Sequence, residues 1–152
     1  MEAIHFWIVA VVLVVAILMV FTGCVAIPEI TAAQFGQATS TGTVVVMFSK
    51  DFCPPCDVQE SELAKLKADF PSARFVMYKA YDILIQPVDA GIVKRFKLEW
   101  TPTTVIMYDG HEVARWTTYH SIDNIRPVLQ AIVDGRVICT PEGCHIIPPG
   151  GP

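Results

Sequence analysis

The stretch Val44-Val45-Val46-Met47-Phe48-Ser49-Lys50-Asp51-Phe52-Cys53-Pro54-Pro55-Cys56 decides how this 152-residue chain is read. Its first five residues form an unbroken apolar run rich in β-branching. Such a run suits a strand covered on both faces, as in the parallel or mixed sheets of α/β domains. Two cysteines separated by two prolines follow. Beyond them Cys56, Leu63, Leu66 and Phe70 recur at helical spacing, while Asp57, Glu60, Glu62, Lys65 and Lys67 supply a polar face. The pattern predicts an amphipathic helix from Pro54 to about Asp69 whose first turn holds the cysteine pair.

That junction has a chemical consequence. A thiol exchanges disulfides only as thiolate, and a free cysteine with a pKa of about 8.5 is mostly protonated at neutral pH. A helix N-terminus directs unpaired N–H groups and the positive end of the dipole at the first sulfur. A spacing of two lets the second sulfur reach the first. Pro54 and Pro55 fit the first helical positions, where a fixed φ is an advantage, but they withdraw two donors. Support for a Cys53 thiolate is therefore expected from the Cys56 N–H or beyond, with Lys50 adding Coulomb attraction.

Downstream, Arg74 to Tyr81 reads as a second strand and Pro87 to Lys97 as a second helix marked by Val88, Ile92, Val93 and Phe96. Trp100-Thr101-Pro102-Thr103 comes next. Thr103 to Tyr108, the Asp109-Gly110 turn and Glu112 to Tyr119 give a hairpin signal. Ser121 or Asp123 caps a last helix to Val133, which Gly135 stops. Upstream, Thr31 caps a short helix over Ala32 to Ala38. The tail 136–152 is expected to be irregular because of its prolines and glycines. The chain is thus divided into an anchor at 1–27, one folded domain at 28–135 and a tail at 136–152, in keeping with about 100 to 150 residues per domain.

The anchor is read from sixteen consecutive apolar residues, Phe6 to Phe21, extended with small interruptions to Ile27. A helix of that length, roughly 24 to 33 Å, serves as a signal segment or a membrane span. Its end, Phe21-Thr22-Gly23-Cys24, resembles a bacterial lipoprotein signal, which makes Cys24 a candidate lipidation site; an uncleaved transmembrane helix is the alternative. Glu2 stands in a leader without Lys or Arg, and the first basic residue is Lys50, so charge does not assign the side. Either reading tethers the domain to a membrane. The five cysteines include a second close pair, Cys139 and Cys144, which fits an oxidising, extracytoplasmic compartment. That pair is read as a candidate structural disulfide. The net charge of -4, without a basic run, argues against nucleic acid as a partner.

The strand, the Cys53-Pro54-Pro55-Cys56 motif, the helix after it, and Thr101-Pro102-Thr103 before a hairpin together resemble the thioredoxin superfamily over about residues 40 to 135. The resemblance implies an α/β thioredoxin fold, with a central mixed sheet of about four strands flanked by helices. It implies thiol-disulfide exchange with protein substrates and a redox partner protein. Cys53 would be the exposed nucleophile and Cys56 the resolving thiol. Pro102 would be a cis-proline, and Thr101 with Pro102 would hold an extended substrate chain beside the cysteines. No cofactor is implied beyond the redox-active Cys53–Cys56 disulfide. Two positions depart from the family pattern: Phe52 stands for the usual tryptophan, and Met47 for a buried acidic residue. Without that carboxylate, proton transfer at Cys56 needs water or another group.

Phe52 and Trp100 would flank the active surface as an apolar rim for substrate chains, or simply pack. A Cys-x-x-Cys pair is also half of a zinc site, but the strand before and helix after favour redox chemistry, and no metal site is expected. A redox-inactive binding module using the Pro102 surface is the remaining alternative. Such a module would not need both cysteines. Within the family the motif leaves open whether the protein reduces, oxidises or isomerises.

Overall fold

The computed structural model describes residues 26–150. The anchor segment through residue 25 and its Cys24 lie outside the described residues. Among those described, no helix is long and apolar enough to cross a membrane.

The elements in chain order are α1 (Ala32–Thr39), β1 (Thr43–Lys50), α2 (Pro54–Asp69), β2 (Arg74–Tyr81), α3 (Ala90–Arg95), β3 (Thr103–Tyr108), β4 (His111–Thr117), α4 (Ile122–Val133), β5 (Val137–Thr140) and β6 (Gly143–Ile146). Four strands make one sheet in the order β2-β1-β3-β4. β1 runs parallel to β2 and antiparallel to β3, and β3 pairs antiparallel with β4. The central β1 is buried from Val44 to Ser49, which is why its sequence shows an apolar run instead of alternation.

Because successive strand residues point to opposite faces, β1 divides the core in two. Val45 and Met47 face one layer with Cys53, Cys56, Leu63 and Leu66 of the α2 side and Ile125, Leu129 and Ile132 of α4. Val44, Val46 and Phe48 face the other, with Phe35, Tyr78 and Phe96. There Phe35 meets Tyr78 and Phe96 edge-on at 5.2 and 5.4 Å, the geometry that ring quadrupoles favour.

Three expectations are corrected. The tail is not irregular: Val137–Thr140 and Gly143–Ile146 pair as an antiparallel hairpin with Cys139 opposite Cys144, and β6 lies against β4. Pro141 sits in the turn, where its missing N–H costs no ladder bond. The second helix is shorter than 87–97. Pro87 bridges to Tyr81, and the Asp89 side chain accepts from Ile92 N at 2.9 Å, so the helix begins only after that cap. The last strand of the sheet ends at Thr117, before Thr118 turns to φ 70°. Of the two proposed caps for the last helix, Ser121 serves, accepting from Asp123 N at 3.3 Å.

Candidate active site

The end of β1 and the start of α2 place the cysteines. Cys53 is the residue before the helix, and the two prolines occupy its first two positions. Cys53 and Cys56 are joined as a disulfide with Cα atoms 5.2 Å apart. The N–H groups of Cys56 and Asp57 both donate to the Cys53 carbonyl, at 2.8 and 3.3 Å. The donors expected for the Cys53 sulfur are thus engaged by the helix's own first turn.

A hydroxyl stands there instead: Thr101 Oγ1 lies 3.8 Å from Cys53 Sγ. The Thr101–Pro102 peptide is cis. Its loop is held by Thr103, whose hydroxyl donates to the Trp100 carbonyl at 2.7 Å. Cys53 is 6% exposed and Cys56 4%, so both are buried, against the exposed nucleophile implied by the resemblance. The Cys53 sulfur is engaged in the disulfide, and the Thr101 hydroxyl lies against it.

Beside this buried pair large apolar side chains stand exposed among charged ones. Phe52, at φ 50°, is 83% exposed, and Trp100 is 63% exposed. A cleft of about 350 Å³ opens between Lys50, Tyr81, Ile85, Glu99, Trp100 and Thr101. The Tyr81 hydroxyl donates to the Leu98 carbonyl at 2.6 Å, and burial, assisted by the Glu99 charge, raises its pKa above the ordinary phenol value. Ile83, Leu84 and Ile85 continue the exposed apolar surface on the loop after β2. Lys50 therefore lines the cleft as well as preceding the motif, while its neighbour Asp51 pairs with Lys79 at 2.8 Å. That hydrogen bond raises the Lys79 pKa.

Beneath the pair, Met47 is fully buried in the cluster holding both cysteines. Two polar groups in this layer escaped the sequence reading. Gln59 is fully buried on the same face of α2 as Cys56, and Thr104 is fully buried on β3 as the cross-strand partner of Met47. Gln59 had a signal: it falls three positions after Cys56, on the face that Leu63 and Leu66 identify as inward. Thr104 had none, since threonine is ordinary in a strand.

The second cysteine pair is also bonded, across the β5–β6 hairpin. Among the described residues no three His, Cys, Asp or Glu side chains converge as a metal-binding group.

Residues 32–132 match the family model of a thioredoxin-like domain. The H-type thioredoxin of Fagopyrum esculentum is 28% identical over 83 residues, which are 54% of this chain and 66% of that protein. The fold is shared with thioredoxin f2 of Chlamydomonas reinhardtii, at 20% identity and a TM-score of 0.59 over 68% of this chain and 94% of that one. It is shared equally with the thioredoxin of Trypanosoma brucei brucei, at 20% identity and a TM-score of 0.58 over 72% and 92%. With the family model spanning more than half of its length, the chain belongs to the thioredoxin-like family, within the thioredoxin superfamily.

Proposed function

We propose that this chain is a thiol-disulfide oxidoreductase that exchanges disulfides with protein substrates through Cys53 and Cys56. The observation that carries the reading is the Cys53–Cys56 disulfide set against the hydroxyl of Thr101, a residue that also lines the neighbouring cleft. A substrate thiolate attacks Cys53 Sγ, the Cys53–Cys56 bond breaks, and the electron pair leaves on Cys56. In the opposite direction Cys53 attacks a substrate disulfide and one substrate sulfur leaves as thiolate; Cys56 then attacks Cys53 Sγ and displaces the other, which re-forms the Cys53–Cys56 bond. The electrons reside in the cysteine pair, so the cycle calls for a redox partner protein and no bound cofactor. Thr101 and Pro102 would offer backbone groups to an extended chain as a short added strand, with Trp100 and Phe52 covering its apolar side chains.

The domain works on a membrane, on the extracytoplasmic side, tethered through residues 1–27. The apolar run from Phe6 supports the tether, and the second disulfide supports an oxidising compartment. Lipidation at Cys24 and an uncleaved helix differ in the intact mass of the membrane form.

The test is reduction of a disulfide-bonded protein substrate by the full chain in detergent, with a dithiol as electron source. Cys53→Ser is expected to abolish turnover, and Cys56→Ser to trap a mixed disulfide. Full turnover by Cys53→Ser would sink the reading.

A further inference from the structure

We infer that Gln59 and Thr104 form a buried receiving pocket for the Cys56 thiolate. The inference rests on the disulfide-exchange reading and adds the residues that stabilise its leaving group.

The pocket is marked by two polar atoms without partners. Gln59 Nε2 and Thr104 Oγ1 are both buried and make no hydrogen bond. The Gln59 amide has a fixed orientation, because its Oε1 accepts from the His120 backbone N–H at 2.8 Å and an N–H can be met only by the oxygen. The amide NH2 is therefore the end left over. Gln59 lies one helical turn after Cys56 on the same buried face. Helical side chains lean toward the N-terminus, which carries Gln59 back over the turn that holds Cys56. From the sheet, Thr104 is directly opposite Met47, so the two side chains share the face that packs on α2. Met47 offers no hydrogen bond of use to an anion. No Asp, Glu, Lys, Arg or His is buried among the described residues.

Orphaned buried donors are uncommon in folded proteins and carry a free-energy cost. Here the cost falls on one redox state. In the disulfide the Cys56 sulfur is neutral and a poor acceptor. When an incoming dithiol's thiolate bonds to Cys53 Sγ, the Cys53–Cys56 bond breaks and the electron pair goes to Cys56 Sγ. The Cys56 thiolate then accepts from the Gln59 amide and the Thr104 hydroxyl, and neither group gives up its proton. The incoming dithiol's second thiolate next displaces Cys53, leaving that molecule oxidised and the Cys53, Cys56 pair reduced. Both orphans are satisfied only in the reduced protein, so they favour reduction and lower the Cys56 pKa.

The test equilibrates the full chain with glutathione buffers and measures the Cys53–Cys56 disulfide fraction by alkylation and mass. Gln59→Leu and Thr104→Val are each expected to shift the equilibrium about tenfold toward the disulfide, a potential lower by about 30 mV. At pH 7.5 an ionised Gln59→Glu keeps an oxygen for His120 and has no donor, so it shifts the same way even if Gln59→Leu fails to fold. In a Cys53→Ser background, the pH profile of Cys56 alkylation moves upward in each variant, which a merely structural role would not produce. Potentials within twofold of the parent for Thr104→Val and Gln59→Glu, with an unchanged Cys56 profile, overturn the inference. These readouts need no protein substrate, so failure here and failure of the exchange activity are separate results.

Discussion

Thr101 Oγ1 lies 3.8 Å from Cys53 Sγ and is the side-chain hydroxyl beside that sulfur. The first-turn N–H groups of Cys56 and Asp57 go to the Cys53 carbonyl, so a Cys53 thiolate draws its nearest hydrogen bond from Thr101. A hydrogen bond to a charged acceptor is worth about 1.5 to 3 kcal/mol. Thr101→Val, close in shape, is therefore expected to raise the Cys53 thiol pKa by about one unit, at about 1.4 kcal/mol per unit. The pH dependence of Cys53 alkylation in the reduced protein measures it. An unchanged profile would show that the hydroxyl does not face the thiolate.

The apolar rim predicts an effect on substrate and not on potential. Trp100 lines the cleft beside Thr101 and is mostly exposed, so its truncation removes contact area from a bound chain while leaving the disulfide's surroundings intact. Trp100→Ala is expected to raise KM for a protein disulfide severalfold, about 1 kcal/mol or more for an interface aromatic. Its glutathione equilibrium should match the parent. A fall in kcat at constant KM would instead place Trp100 in the chemistry.

Much of this arrangement was legible because each decisive element announces itself locally. The Val44-to-Phe48 run marks a strand buried on both faces, and Leu63 and Leu66 fix the inward face of the helix that carries Cys56. The tail was misread for a physical reason: its prolines and glycines carry the signal of irregular chain, while the hairpin depends on pairing Val137–Thr140 with Gly143–Ile146 and on contact with β4. The polar pocket was hidden for another. The burial of Gln59 and Thr104 arises from packing between α2 and the sheet, and pattern rules assign such residues to surfaces.

The hairpin gives a prediction of local stability. Two short strands alone are marginal, and here Cys139 is bonded to Cys144 across them. Closing so short a loop contributes about 2 kcal/mol in the chain-entropy model. Cys139→Ser is expected to raise amide exchange across 137–146 by a factor on the order of 30, the equivalent of that free energy. Exchange at Cys53 should be unaffected. Equal amide protection with and without the bond would mean that contact with β4 holds the hairpin unaided.

Met47 offers the last test, because it is fully buried between Met77 of β2 and Thr104 of β3 in the layer shared with Cys56. A carboxyl placed there by Met47→Asp is desolvated, and desolvation raises an acid's pKa. The sign follows from proton counts. Between the unfolded value of about 3.9 and the raised folded value, the native state holds a proton that the unfolded chain has released. Stability therefore falls as pH rises through that window and levels off above the folded pKa. A rise of about two units costs about 2.7 kcal/mol at the plateau. Unfolding free energies of Met47→Asp from urea titration, relative to the parent, should be nearly equal at pH 4 and lower by that amount at pH 7.5, apart from a constant loss of methionine packing. A difference independent of pH would mean that Gln59 and Thr104 fully solvate the carboxylate, which would locate both donors in the Met47 cavity beneath the disulfide.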